Sequence, residues 1–326
     1  MKYFLAAMML SGFLAKPCFA DETAAARSQA VLTVEVTSGT ANGTTLENDL
    51  VIVRIYKDGQ LLHTLDGKVG ADGKALFDNV PTGDRVVAVV RARHQDMMFN
   101  GRPVALRPAA DELVARVQVF DVSDDQSELS IETHHFIIRA RSEFLEITEY
   151  MQLKNSSDMA VRSEKRDSQN RPIVLEIMLP KRFKNLRPSG YFEEDALVVT
   201  EEGFYDMMAV PPGEYQVTFS YTLDITDNTM DIVKKISLPT SSFVLFAELG
   251  QAELQGLDEA EHQVLRRNEA EMEYYKRSNL APEEHIAFQI TGFNVNTSGL
   301  GTWMILAIVF SIVAVLAVSR LRPEKS

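Results

Sequence analysis

The chain has one cysteine among 326 residues, Cys18, so it can form no intramolecular disulfide. It has one tryptophan, Trp303, and only 12 prolines and 17 glycines, which excludes collagen-like and low-complexity chains. Basic residues are scarce. Lys and Arg total 33 against 46 Asp and Glu, a formal net charge of -13. That deficit excludes a protein that works on a nucleic-acid backbone, where a basic surface is required. At 45% hydrophobic and 24% charged, the chain is also too apolar for global disorder. Long apolar runs are missing except at the two ends.

Residues 1–20, MKYFLAAMMLSGFLAKPCFA, read as a secretory signal peptide. Lys2 supplies the basic start, an apolar run follows, and Cys18-Phe19-Ala20 is a small-x-small cleavage site. Pro17 before Cys18 argues against a lipoprotein signal. Cleavage after Ala20 removes the only cysteine, and a thiol-free exported chain fits a bacterial envelope better than a disulfide-rich extracellular setting. Residues 300–319, LGTWMILAIVFSIVAVLAVS, carry no charge. Twenty residues at about 1.5 Å each match a hydrocarbon core of about 30 Å. Trp303 lies where an interfacial aromatic belongs, and Arg320, Arg322 and Lys325 follow as the cytoplasmic flank. The expected topology is a single span in a bacterial inner membrane, with the ectodomain in the periplasm and residues 320–326 as a cytoplasmic tail. Without Lys2, Lys16, Arg320, Arg322, Lys325 and Glu324 the exported part holds 28 basic and 45 acidic residues, a charge of about -17.

Between the ends the apolar period is two, the signature of strands. Residues 21–29 form a polar lead without apolar period, read as disordered. VLTVEV (31–36) and LVIVRIY (50–56) alternate, and Lys57-Asp58-Gly59-Gln60 is a hairpin turn. Asp72-Gly73 and Pro81-Thr82-Gly83 punctuate the strands that follow. The predicted fold is all-β: two tandem immunoglobulin/prealbumin-like β-sandwiches, 30–112 and 113–293, then a linker at 294–299 and one C-terminal transmembrane helix. In the second unit, residues 113–122, 129–140, 145–155, 172–180, 196–202, 241–249 and 285–293 read as strands. Residues 156–171 read as a mobile loop. Residues 257–278 remain open between helix and strand. Leu257, Ala260, Val264, Met272 and Tyr275 share a helical face, yet Glu269 and Glu273 repel at helical spacing.

The stretch Ala71 to Val90, ADGKALFDNVPTGDRVVAVV, resembles the carboxypeptidase regulatory-like (prealbumin-like) β-sandwich module. Gly73, Phe77, Val80, Pro81 and Gly83 match its turn, core aromatic and P-x-G device, and residues 84–90 match the strand after it. The resemblance covers about residues 30–120 and implies a fold. In metallocarboxypeptidases this module is the non-catalytic partner of a zinc domain, and no such domain accompanies it here. Pro211-Pro212-Gly213 repeats the device before a second strand. The order of such a module, a second sandwich and a terminal span resembles bacterial membrane-anchored envelope proteins.

Motifs for chemistry are absent. The histidines, 63, 94, 134, 135, 262 and 285, form no zinc-peptidase signature. His134 and His135 are neighbours in a strand and point to opposite faces, one toward a core or edge and the other toward solvent. There is no Gly-x-Ser-x-Gly elbow, Walker loop or dinucleotide fingerprint. Asp121, Ser123, Asp125, Ser127 and Glu132 occupy calcium-loop positions, but Gln126 stands where that loop needs glycine, so the segment reads as an acidic turn. The sequons at Asn42, Asn155 and Asn296 read as chance matches. Met97-Met98-Phe99 and Met207-Met208 read as loop and core rather than a partner groove. Lys181, Arg182, Lys184 and Arg187 read as a solvated basic loop. We therefore expect no catalytic, cofactor-binding or metal-binding residue and no cofactor. The expected function is a non-enzymatic, membrane-anchored envelope protein presenting β-sandwich modules for protein or glycan binding. The alternative is an accessory or assembly subunit of an envelope membrane complex, for example a respiratory one, with Ala307, Ser311 and Ala314 as a small-residue stripe for helix packing. Either way the partners are the membrane and an envelope protein, not nucleic acid.

Overall fold

The computed structural model describes residues 29–108, 113–141, 143–250, 252–267 and 270–293. The expected signal peptide, linker, span and tail lie outside the described residues, as does the polar lead except for Gln29, which opens the first strand. Among the described residues no helix is long and apolar enough to cross a membrane. The described chain is almost all β, with helical geometry only in the short turns Gln126–Glu128 and Glu194–Ala196.

The first eight strands are β1 (Gln29–Ser38), β2 (Leu50–Lys57), β3 (Gln60–Lys68), β4 (Lys74–Pro81), β5 (Val86–His94), β6 (Met97–Asn100), β7 (Val104–Ala105) and β8 (Leu113–Val119). One sheet has the order β4-β1-β8; the other runs β3-β2-β5-β6, with β7 also on β5. The period of two does its work here. Leu32, Val34 and Val36 of β1 point inward, as do Val51, Val53 and Ile55 of β2 and Val86, Ala88, Val90 and Ala92 of β5. Each valine, leucine or isoleucine among them contributes about 1.5–3 kcal/mol by leaving water. The β2–β3 hairpin turns at Asp58 (φ 52°) and Gly59 (φ 80°), the two successive positive φ angles a tight hairpin needs. Phe77 is buried, and Gly73 has φ +76°.

β8 corrects the expected boundary at 112/113. It pairs in parallel with β1 from Leu32↔Leu113 to Ser38↔Val119. Leu113, Ala115, Val117 and Val119 complete the first core. The physical reason is mutual: β1 would otherwise expose an unpaired edge, and the alternating face of β8 needs an apolar surface.

The remaining strands are β9 (Val122–Ser123), β10 (Leu129–Ala140), β11 (Phe144–Asn155), β12 (Ala160–Val161), β13 (Leu175–Met178), β14 (Lys184–Gly190), β15 (Leu197–Val199) and β16 (Gly203–Asp206). They continue with β17 (Gly213–Asp224), β18 (Thr229–Lys235), β19 (Thr240–Glu248), β20 (Glu253–Gln255), β21 (Glu261–Arg267), β22 (Ala270–Leu280) and β23 (His285–Thr291). A seven-stranded sheet has the order β14-β17-β11-β10-β19-β22-β21. Two three-stranded sheets, β13-β16-β15 and β18-β23-β20, contribute to the same core. Phe136, Ile147, Phe219, Phe243 and Leu245 of the large sheet meet Ile177, Phe204, Ile232 and Phe288 of the small ones in that core.

Two further expectations resolve. The helix-or-strand segment is a strand pair: β21 and β22 run antiparallel, from Glu261↔Lys276 to Arg267↔Ala270, and β22 also pairs with β19. A sheet edge at β19 satisfies the backbone of this segment, and Met272 is buried on the sheet face that also carries Val244 and Phe246. The loop expected to be mobile, 156–171, is tied down. β12 pairs in parallel with β9, and Val161 bridges Val210. Asp167 accepts bonds from the Gln169 and Arg171 amides, the Arg171 guanidinium and the Tyr205 hydroxyl. The Tyr205 hydroxyl, with those donors, holds the Asp167 carboxyl well below the usual carboxylate range.

Candidate functional site: the junction cleft and its supports

Where the chain leaves β8, a polar clasp joins the first core to the second. His94, at the end of β5, has Asp49 Oδ2 at 2.7 Å from Nδ1 and Asp121 Oδ1 at 2.9 Å from Nε2. Asp121 also accepts from the Thr44 amide and hydroxyl, both at 3.0 Å. Burial alone would raise the Asp121 carboxyl, but the bonds from His94 and Thr44 outweigh it and lower it. Thr40 and Ala41 reach across to Asp158: the Thr40 hydroxyl donates to its carbonyl at 2.9 Å, and the Ala41 amide to its carboxylate at 3.0 Å. Removing the imidazole leaves two carboxylates facing each other in a largely dry site. His94→Ala should therefore cost about 2–3 kcal/mol, read by chemical denaturation, and a loss under about 0.5 kcal/mol would show that the clasp is idle.

The calcium-loop positions do not converge. Asp121 is engaged by His94, Asp125 accepts from the Ser127 amide at 3.0 Å, and Glu132 pairs with Lys154 at 2.9 Å. Among the described residues no group of His, Cys, Asp and Glu is placed to hold a metal. Millimolar calcium should leave the melting temperature unchanged; a rise of several degrees would refute this reading.

Beside the clasp lies a cleft of about 470 Å³ that draws its walls from both cores. Met98, Phe99 and Asn100 of β6, with Gln118 and Phe120, form one side. Tyr191, Glu193, Asp206, Met208, Ala209, Pro211, Pro212 and Tyr215 form the other. Tyr191 and Tyr215 meet edge to face at 5.4 Å, and the Tyr215 hydroxyl donates to the Pro212 carbonyl at 3.0 Å. Arg91 reaches Glu193 at 2.8 Å, and Asn100 donates to the same carboxylate. Both contacts cross the junction, so Glu193 already has its cation.

Asp206 differs. It ends β16, is only 2% exposed, and accepts the Met208 amide at 2.9 Å. Burial, aided by the Glu193 charge and opposed by the Met208 amide, pushes its carboxyl up to about 6. Burial, with Asp206 and Tyr215 nearby, also raises the Tyr191 hydroxyl. An unfolded aspartate titrates near 3.9, so between about pH 4 and 6 the folded chain holds a proton that the unfolded chain has lost. Stability therefore falls as pH rises through that window, and above it the carboxylate is a standing penalty of order 1–3 kcal/mol. Asp206→Asn keeps an acceptor for the Met208 amide and removes the charge. It should stabilise the protein by about 1–3 kcal/mol at pH 8 and change little at pH 4. Equal effects at both pH values would contradict the assignment.

The second core carries a polar centre of its own. Glu149 of β11 is fully buried and takes Lys234 Nζ at 2.7 Å, His134 Nε2 at 2.7 Å and the Tyr221 hydroxyl at 2.9 Å. Lys234 also donates to the Met178 carbonyl at 2.9 Å, which links the large sheet to β13. Burial would raise the Glu149 carboxyl, but Lys234 and the His134 bond outweigh it and lower it. Burial lowers His134, so the neutral ring donates Nε2–H to a charged Glu149. The adjoining cavity is about 10 Å³, room for one water at most.

His135 corrects an expectation. It does point away from His134, but it is also buried, against Tyr150 and Phe246 on the other face of the sheet. Burial pushes it down to about 4. Phe99 is buried in the first core, in line with its reading from sequence, and together with Met98 and Met208 it also lines the cleft. The expected basic loop is in part a strand: Lys184 and Arg187 lie on β14, whose backbone pairs with β17 at the edge of the large sheet, and Lys184 also pairs with Asp224 at 2.5 Å.

No protein-family model and no curated protein matches the chain. Among solved structures, one similar chain is a candidate protease from Parabacteroides distasonis, with 9% identity and a TM-score of 0.29 over 51% of this chain and 41% of that one. Another is a substrate-bound M1 zinc metallopeptidase from Deinococcus radiodurans, with 10% identity and a TM-score of 0.31 over 52% of this chain and 44% of that one. The chain spans less than half the length of either. At these TM-scores the likeness carries no argument about activity here.

Proposed function

We propose that this chain is a non-enzymatic envelope protein, anchored by residues 300–319 in a bacterial inner membrane, that presents two tandem β-sandwiches to a periplasmic ligand, a protein or a glycan. The first sandwich is of the carboxypeptidase regulatory-like kind, with Gly73 and Phe77 in the turn and core roles of that module. The second extends from β9 to β23. One observation carries the binding reading: the junction cleft combines aromatic and methionine walls with amide and carboxyl groups, and neither core alone forms it. Aromatic faces supply contact area at low entropic penalty, and the few polar groups set orientation. Pre-formed polar clusters elsewhere are buried and already satisfied, as at Glu149.

A photo-crosslinking residue at Met98, inside the cleft, should capture a ligand in intact cells, whereas one at the exposed Leu62 on β3 should not. Equal capture at both positions, or none at Met98, would overturn the reading. Stable co-purification with one membrane complex and no cleft crosslink would favour the accessory-subunit alternative.

A further inference from the structure

We propose that the junction cleft receives a cationic side chain, an arginine or lysine carried on a peptide segment of a partner protein. This rests on the cleft being the ligand site. The electrostatics of its wall are incomplete. Glu193 is neutralised by Arg91, but Asp206 is not: its bonds come from the neutral backbone amides of Met208 and Met207, and among the described residues no lysine, arginine or histidine pairs with it. A carboxylate this dry is stabilised most by a cation, because the attraction acts in low dielectric.

The surroundings fit the head and the stem of such a side chain. Tyr191 and Tyr215 stand beside the carboxyl, and ring faces attract guanidinium and ammonium groups. Phe99, 6.1 Å from Phe120, and Met208 offer an apolar track along which the methylene stem can lie while its charge meets Asp206. Charge complementarity extends to the whole molecule, since a chain at -13 attracts a basic segment at long range. A cleft of about 470 Å³ has room for one such side chain and part of its flanking backbone. A raised Asp206 carboxyl is the state this arrangement would show while the cation is away, and binding would draw its proton off.

The test uses the full-length chain in detergent micelles, titrated calorimetrically at pH 7.5 with acetyl-Gly-Arg-Gly-amide and with the same peptide carrying citrulline, the neutral isostere. The arginine peptide should bind about tenfold tighter or more, and Asp206→Asn should abolish that preference. Because Asp206→Asn is expected to raise stability at this pH, lost discrimination cannot be assigned to unfolding. Equal affinity for the two peptides, a preference that survives Asp206→Asn, or binding of neither peptide would each overturn the cationic-ligand proposal. Crosslinking at Met98 separates the two failures. Capture there without arginine discrimination removes only the ligand class, whereas no capture removes the cleft as a site.

Discussion

Lys234→Met should destabilise the protein by about 3–5 kcal/mol, the largest effect expected of any single side-chain truncation here. Lys234 is 2% exposed, and its ammonium lies 2.7 Å from the fully buried Glu149. Methionine fills nearly the same volume, so packing loss is small. What changes is that Glu149 stays buried with only a neutral His134 and the Tyr221 hydroxyl as donors, and the Met178 carbonyl loses its partner. A buried carboxylate without its cation carries most of its desolvation penalty. The reciprocal change, Glu149→Gln, should also be severe, and the double variant Glu149→Gln/Lys234→Met should recover part of the loss. Urea denaturation of the four proteins gives the coupling directly. A loss under about 1 kcal/mol for Lys234→Met, or strict additivity in the double variant, would show that the pair is energetically idle.

Gly203→Ala should be nearly as costly, about 3 kcal/mol or more, and should also disturb the cleft. Gly203 opens β16 with φ +147°, a conformation L side chains rarely adopt. A Cβ there would sit 2.1 Å from the Ile177 carbonyl oxygen of the paired strand β13. The obstacle is backbone, so no rotamer change relieves it. β13 and β16 would have to separate at the Met178↔Gly203 end of their register. Asp206 is three residues along the same strand, paired with Leu175, so the cleft carboxyl would shift with it. The variant should lower the thermal midpoint by several degrees and weaken any cleft ligand. A variant with unchanged midpoint would mean that β16 can slide without loss.

The polar centre was more legible in sequence than the cleft. On β11 the inward positions run Leu145, Ile147, Glu149, Met151 and Leu153, so a charge interrupts an otherwise apolar face. On β18 Lys234 follows Ile232 on the inward side in the same way. Two opposite charges at core positions of two strands must meet, because neither can be buried alone. The strand character of most of the chain followed from a period of two, which depends only on the geometry of one strand and one buried face. The Asp58-Gly59 hairpin likewise followed from local backbone preference.

Other features depend on which segments meet. The pairing of β8 with β1 joins residues about eighty positions apart, and nothing within residues 113–119 distinguishes the last strand of one core from the first of the next. The segment 257–278 carried apolar residues compatible with both a helical stripe and a strand; the free edge of β19 decided between them. Met98, Phe99 and Met208 look like core in sequence because a packed core and a cleft wall use the same kinds of side chain.

By itself, then, the sequence determined composition class, the apolar ends, the absence of known catalytic motifs and the strand character of most of the described residues, since each of these is a property of residues near one another or of their sum. Only the tertiary structure decided where the first core closes, that His94 joins Asp49 to Asp121, and that Asp206 stands desolvated in a wall shared by both cores. The physical reason is range: strand periodicity is written every two residues, whereas a cleft and the solvation of a carboxyl within it are set by whatever distant segments fold against it.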